Sequence, residues 1–192
     1  MELVTLPRVT TETGWVTSGG KTPLSMEAQG RLFLCLYLSQ FAQGFAHTFV
    51  YMLRDDPGQG YWGFIHTNYT MKPSGEMMHR LTTVLADTGS ETDLTALSAG
   101  LDYTIAAQPE TMHDKLFVKS SGVFELAVWS ERAGGAADAV EVDLGAVYST
   151  VKVYDPTSSA RPRTFSNVRK VPLAFNGFHA VVVEVRPADL LL

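Results

Sequence analysis

The spacing of apolar residues changes about half way along this chain, and that change limits the folds that it can adopt. From about Leu101 onward, apolar and polar residues alternate with the two-residue period of β-strands. The alternating sets are Phe124, Leu126 and Val128; Val147, Ser149, Val151 and Val153; Val171, Leu173 and Phe175; and Val181, Val183 and Val185. The turn signals between the strands are at 120–122, 134–135, 155–159 and 176–177. This pattern predicts an antiparallel β-sandwich.

The first half of the chain shows helical spacing between short strand-like runs. Val and Thr dominate the run that ends at Glu12, which predicts a short strand. Ser25 is the predicted N-cap of a helix that runs to about Gln43, where Gly44 ends it. The apolar stripe of this helix contains Phe33, Leu34, Tyr37, Leu38, Phe41 and Ala42. We therefore expect one strand-helix unit here.

A second strand-helix unit follows the first. The continuous apolar and aromatic run 47–53 predicts a strand that is buried on both faces. Ser74 opens a helix that runs to about Ala86. Alternating strands and helices predict a parallel sheet with right-handed crossovers. The change of period over 87–99 is the predicted boundary between the two halves.

Charge and hydropathy exclude several classes of function. The 192 residues carry a formal net charge of -5 and contain no cluster of Lys and Arg, so we expect no nucleic-acid partner. No segment reaches the ~20 apolar residues of a membrane-spanning helix, so we expect no membrane partner. The start Met1-Glu2-Leu3 lacks the features of a signal peptide, which leaves the compartment open. Cys35 lies in an apolar run and is predicted to fill space in a core.

The sequence predicts neither a metal site nor a cofactor site. His47 and His66 have no His, Cys or carboxylate partner at metal-ligand spacing. Asp55 and Asp56 with Gln59 are oxygen-rich but lack the alternation of a calcium loop. No Gly-rich phosphate loop follows a strand.

Glu12 is the first candidate for chemistry. It ends a β-branched run and is followed by Gly14 and Trp15. In barrels of parallel strands, catalytic groups lie at the C-terminal ends of the strands. A strand-end carboxylate that only faces solvent explains these few residues equally well.

The residues around Glu12 resemble a known group of enzymes. The segment 7–15 ends in a Thr-Glu-x-Gly-Trp pattern and resembles the seventh barrel strand of retaining glycoside hydrolases of the large (β/α)8 superfamily. In the same order as in those barrels, 51–56, 60–64 and 72–73 resemble strand eight, its loop and the last helix.

The second half adds to the resemblance. Segments 119–129 and 151–156 are similar to the β-sandwich that is appended to family-39-like hydrolases. The implied fold is α/β plus all-β. Residues 1–90 would be the last two βα units of a TIM barrel, from strand seven to helix eight, and residues 100–188 would be a C-terminal antiparallel β-sandwich.

The resemblance implies hydrolysis of O-glycosidic bonds with retention, with Glu12 as the nucleophile. Trp15, Arg54, Asp55 and Trp62 would bind the oligo- or polysaccharide substrate. Retention needs a second carboxyl group about 5–5.5 Å from the first. In the resembled enzymes this acid/base Glu follows an Asn, and the sequence contains no Asn-Glu pair. We therefore expect the chain to be inactive alone and to need an upstream barrel fragment.

The predicted site residues also have structural interpretations. Trp15 either stacks on a sugar face or packs within its loop. Arg54 and Asp55 either bind sugar hydroxyls, keep Glu12 ionised, or form an ion pair at the barrel rim. Trp62 either lines the cleft or covers a core edge.

Two other functions compete with the enzyme. In the first, the chain is a non-catalytic carbohydrate-binding or structural β-sandwich module with a barrel remnant. In the second, which the sequence favours less, it is an unrelated small α/β protein. The discriminating feature is the apolar surface of the two βα units, which a complete barrel covers on both sides of its strands. Left open, these strands would drive self-association.

Overall fold

Residues 6–89 and 100–191 are described by the computed structural model, which divides the chain into the units Met1–His79 and Arg80–Leu192. The predicted boundary at 87–99 lies largely outside the described residues. No helix in the described part of the chain is long and apolar enough to cross a membrane.

The first unit alternates strands and helices, as the apolar spacing predicts. Its strands are β1, Arg8–Thr13, and β2, Phe45–Val50, and they pair in parallel. Helix α1 is Met26–Ala42, and helix α2 is Pro73–Leu85, whose last turns belong to the second unit. The parallel pairing follows from the helical crossover, because it returns the chain to the same end of the sheet.

Helix α1 begins and ends where the sequence predicts. Ser25 is its N-cap, and the Ser25 hydroxyl accepts a hydrogen bond from the Ala28 amide at 3.1 Å. The buried residues of α1 are Gln29, Gly30, Phe33, Leu34, Cys35 and Leu38. The prediction that Cys35 fills space is confirmed. Phe41 and Ala42, which were expected in the apolar stripe, are exposed in the last turn, although Phe41 is on the same side of the helix as buried Leu34.

The prediction that the second strand is buried on both faces is wrong. Phe49 of β2 is 57% exposed, and Leu53, beyond the end of the strand, is 69% exposed. Val9 of β1 is also exposed. In the described part of the chain, β1 and β2 form a sheet of two strands, so most of the surface of each strand has no neighbour to cover it.

The second unit is an antiparallel sheet. Its described strands are β3, Thr104–Ile105; β4, Met112–Val118; β5, Phe124–Glu131; β6, Ala137–Tyr154; β7, Arg163–Asn176; and β8, Phe178–Val185. All six belong to one sheet, in the order β3-β6-β8-β5-β4, with β7 paired to β6. The antiparallel arrangement and all four turn positions are as predicted.

One curled sheet replaces the two separate sheets of the predicted sandwich. Strand β6 is 18 residues long, and its pairing with β7 is irregular between Asp143 and Tyr148. Gly145 lies within this irregularity with φ +73°, and a Cβ there would be 2.5 Å from the Asp102 carbonyl oxygen. Such an irregularity bends a strand. The first part of β6 therefore pairs with β3 and the second part with β8.

The core of the second unit lies inside this curl. The predicted apolar sets of β5, β7 and β8 are all buried in it, together with Val151 and Val153. The predicted burial fails at the start of the β6 set. Val147 is exposed, and Tyr148 is buried instead. The irregular pairing after Asp143 shifts which residues face inward.

Two glutamates lie opposite each other on the face of the sheet that points away from the core, one on β5 and one on β8. Glu125 on β5 is opposite Glu184 on β8. Lys119 lies 2.9 Å from Glu125, and Lys152 lies 2.9 Å from Glu184. Burial raises the pKa of Glu125. Burial also acts to raise the pKa of Glu184, but the hydrogen bond from Lys152 helps to lower it overall.

Candidate active site

The C-terminal ends of β1 and β2 lie side by side. Thr13 pairs with Val50 in the parallel register, and the Tyr51 amide donates a hydrogen bond to the Thr13 carbonyl at 2.7 Å. Glu12, one residue before the end of β1, is exposed. The carboxylate predicted from the sequence thus lies at the end of a parallel strand and is open to solvent.

Gly14 has a steric role in the Thr-Glu-x-Gly-Trp pattern. A Cβ at Gly14 would lie 2.4 Å from the Tyr51 carbonyl oxygen, which is too close for any side chain. The backbone after β1 therefore packs directly on the backbone after β2, and glycine permits that approach. This contact fixes the end of β1, with Glu12, against Tyr51.

Trp15 packs within its own unit. Its half-buried ring is 5.7 Å from the ring of Phe33, which in turn is 4.7 Å from the ring of Phe64. The Gln29 side-chain amide donates to the carbonyl oxygens of Trp15, at 2.6 Å, and Trp62, at 3.0 Å. These contacts agree with the packing interpretation, and sugar contact by Trp15 stays a prediction.

Asp55 is enclosed by hydrogen-bond donors. It is 1% exposed, and its Oδ1 lies 3.1 Å from Lys72 Nζ and accepts a hydrogen bond from the Gly63 amide at 2.7 Å. Lys72, which is also buried, donates to the Thr17 hydroxyl at 3.1 Å. A buried ion pair with these extra donors holds the loop 56–71 in place. Binding of sugar hydroxyls by Asp55 stays a prediction.

The Arg54 side chain packs on an aromatic ring. Its guanidinium lies 4.7 Å from the ring centroid of Tyr69, in a cation–π contact on the surface. In the described part of the chain, no hydrogen bond or ion pair joins Arg54 to Glu12. The structure thus shows no contact among the described residues by which Arg54 would keep Glu12 ionised, and binding of sugar hydroxyls by Arg54 stays a prediction.

Trp62 belongs to an aromatic pair that sequence reasoning misses. Its ring meets that of Tyr51 edge-on at 6.2 Å, and its indole N–H donates to the Gln59 carbonyl at 2.9 Å. The Tyr51 hydroxyl donates to the Gln59 side-chain oxygen. Tyr51 is overlooked because the run 47–53 reads as one strand, whereas β2 ends at Val50. Both rings are half-buried, so each offers some surface to solvent.

Among residues 6–89 and 100–191, no group of three or more His, Cys, Asp or Glu side chains is placed to hold a metal ion. His66, one of the two isolated histidines, lies 3.8 Å from the buried Asp55 carboxylate.

Comparison with known proteins gives a fold. No family model and no curated protein matches the sequence. Among solved structures, the chain is similar to the catalytic domain of GH30 xylanase C from Talaromyces cellulolyticus, with a TM-score of 0.51 and 12% identity. The chain has a glycoside-hydrolase-like fold.

The structural match covers very different shares of the two chains. The match covers 98% of this chain and 41% of the xylanase chain, so this chain spans less than half the length of its structural neighbour. The neighbour is a GH30 enzyme, so the glycoside-hydrolase-like fold does not single out the family-39-like hydrolases that the motifs resemble. The assignment of β1 and β2 to barrel strands seven and eight stays a prediction.

Proposed function

We propose that the first unit supplies the nucleophile-bearing strand end of a retaining glycoside hydrolase. The observation that carries this proposal is the exposed Glu12 at the C-terminal end of β1, held beside the end of β2 by the Gly14–Tyr51 contact. The glycoside-hydrolase-like fold supports the choice of chemistry. The order of motifs along the chain makes a family-39-like enzyme the specific form of the proposal.

The roles of the residues follow from retaining chemistry. The Glu12 carboxylate attacks the anomeric carbon and forms a glycosyl ester, while a second carboxyl group protonates the leaving oxygen and then activates water. The half-buried rings of Tyr51 and Trp62 offer aromatic surface for the C–H side of a sugar ring. Asp55 acts through Lys72, by holding the loop that carries Trp62.

Further polypeptide completes the site in this proposal. The second carboxyl group and the remaining substrate contacts come from an upstream barrel fragment that covers the open surface of β1 and β2. Exposed Val9 and Phe49 support this, because parallel strands are normally buried on both faces. The length of the structural neighbour, of which this chain matches 41%, agrees with a missing complement.

A reagent with a leaving group that needs no protonation tests the nucleophile separately from the acid/base. The full chain is incubated at high concentration with the 2,4-dinitrophenyl 2-deoxy-2-fluoro-β-glycosides of xylose and glucose. The xylanase neighbour makes xylose the first choice. Adduct mass and position are read by mass spectrometry of the intact and the digested protein.

We expect an adduct on Glu12 that Glu12→Gln abolishes. The matched control is Glu27→Gln, which removes another exposed carboxylate of the first unit, in the first turn of α1. This control should label like the unmodified chain. Labelling that survives Glu12→Gln, or that Glu27→Gln abolishes as completely as Glu12→Gln, contradicts the proposal.

The alternative is a non-catalytic carbohydrate-binding or structural module. It is favoured by the second unit, which has an extensive core of its own without the open parallel strands of the first. Retardation of the full chain in gels containing xylan, unchanged by Glu12→Gln and without any covalent adduct, would favour this alternative.

A further inference from the structure

The second unit contains a cavity that the proposed hydrolase site does not use. It has a volume of about 770 Å³, within the range of about 300–1,000 Å³ that is usual for small-molecule sites. Residues from β6, β7 and β8 line it, together with the turn that joins β6 to β7 and the two alanines that follow β3. Every lining residue belongs to the second unit.

Part of the lining of this cavity is apolar. Four buried members of the core line it: Val140, Val153, Leu173 and Val181. No Phe, Tyr or Trp is among the described residues that line it, so it lacks the flat aromatic surface on which a sugar ring stacks. The lining therefore suits an aliphatic or aromatic body better than a saccharide.

The charged residues of the lining leave two cations without an anionic partner. Both acids have partners, because Glu141 lies 2.7 Å from Lys170, and Asp155 lies 3.1 Å from His179. The exposed Arg161 guanidinium has no hydrogen bond or ion pair in the described part of the chain. Arg163 donates only to a backbone carbonyl, that of Pro172, and stacks on a ring. The charge of the lining that has no ionic partner among the described residues is therefore positive.

His179 is a largely buried polar residue of the lining. Its Nε2 faces Asp155, whereas its Nδ1 is buried and has no hydrogen-bond partner among the described residues.

We propose that this cavity binds a small amphiphilic carboxylate. The carboxylate pairs with Arg161, and with Arg163 beside it, since a guanidinium binds a carboxylate through two parallel hydrogen bonds. The apolar body lies against the four buried core residues. This site is separate from the Glu12 site, and its function does not depend on hydrolase activity.

Binding of defined probes to the full chain tests the proposal. The probe is 4-phenylbutyrate, followed by calorimetry and by methyl NMR shifts of the Val and Leu residues in the cavity. The comparison ligands are 4-phenylbutan-1-ol, which lacks the charge; acetate, which lacks the body; and glucuronate, which carries the same charge on a sugar.

We expect phenylbutyrate to bind at least about tenfold more tightly than each comparison ligand, since one charge-assisted contact of this kind corresponds to roughly that factor. Arg161→Gln should weaken phenylbutyrate about tenfold without affecting the alcohol. Arg169→Gln is the matched control, because Arg169 is also an exposed guanidinium of the second unit but pairs with Asp143 outside the cavity.

Three results would overturn the proposal. Equal affinity for phenylbutyrate and the alcohol, or an unchanged affinity in Arg161→Gln, would remove the carboxylate contact. Tighter binding of glucuronate than of phenylbutyrate would show that the ligand is an acidic sugar, and the apolar part of the site would be wrong.

Discussion

The two units of this chain use similar apolar side chains in opposite ways. In the second unit, Leu126 is 0% exposed within the curl, whereas Phe49 in the first unit is largely exposed. Antiparallel strands are joined by turns, so each strand brings its own neighbour and the sheet can close over its own apolar face. A parallel pair needs further strands and helices on both faces. Similar apolar content therefore gives a finished core in one unit and an open surface in the other.

The sheet edges show the same contrast. The edge strand β4 of the second unit carries Asp114 and Lys115, and charged residues discourage pairing with another chain. The two strands of the first unit carry exposed Val9 and Phe49. Association is thus expected through the first unit.

The largest expected effect on stability comes from a substitution in the buried core of the second unit. Leu126→Ala should lower the free energy of unfolding by about 2–5 kcal/mol, because it removes buried methyl groups and leaves a cavity. Guanidinium titration followed by the fluorescence of buried Trp129 measures this. A loss below about 1 kcal/mol would mean that the curled core repacks easily, and the contrast between the units would fail.

A smaller effect is expected where the two strand ends of the first unit meet. Gly14→Ala should destabilise by about 1–3 kcal/mol, because the new methyl group would overlap the Tyr51 carbonyl oxygen. The fluorescence of Trp15 and Trp62 follows this unit. Gly100→Ala, where a Cβ meets no atom of the described residues within 4 Å, is the control and should change little. Equal effects of the two variants would contradict the steric role of Gly14.

The acid sensitivity of the second unit should depend on Asp155. Burial raises its pKa, but hydrogen bonds from His179 and Thr157 outweigh this and hold the pKa well below its usual range. A depressed pKa in the folded state stabilises the fold above the unfolded pKa, and the benefit is lost as pH falls below about 4.

Asp155→Asn should therefore cost about 1–2 kcal/mol at pH 7, and the difference from the unmodified chain should shrink below about pH 4. Thermal unfolding across pH measures it. Asp56→Asn is the matched control, because Asp56 makes a similar turn contact with the Gly58 amide in the first unit without a histidine partner. A constant difference at all pH values would exclude the ionic contribution of Asp155.

The smallest effect on stability should accompany a clear effect on association. Phe49→Ser should change the free energy of unfolding by no more than about 0.5 kcal/mol, because the side chain is already exposed. It should nevertheless reduce self-association in sedimentation velocity runs at several concentrations. Val118→Ser, at an exposed position on β4, should leave association unchanged. An unmodified chain that stays monomeric throughout would show that the open strands do not associate.

Much of the fold follows from local patterns. The N-cap at Ser25 and the turn at 176–177 depend on neighbouring residues, and both are where the sequence predicts them. The end of β2 is not where the sequence predicts it. The apolar run continues to Leu53, whereas pairing with β1 stops at Val50. Periodicity indicates apolar runs but does not show where a partner strand ends.

The candidate site was also predictable from the sequence only in part. The position of Glu12 at a strand end follows from the sequence. The ion pair of Asp55 with Lys72 and the edge-on contact of Tyr51 with Trp62 join residues that are distant in the chain, and no spacing rule indicates them.

By itself, the sequence determined the type of each half, because helical and alternating apolar spacing depend on backbone geometry within single elements. Only the tertiary structure decided how far each half is covered. The curl depends on Gly145 meeting the Asp102 carbonyl, and the exposure of Phe49 depends on which strands stand beside β1 and β2. Whether a side chain is buried depends on its neighbours in space, and residues that are distant in sequence become neighbours only when the chain folds.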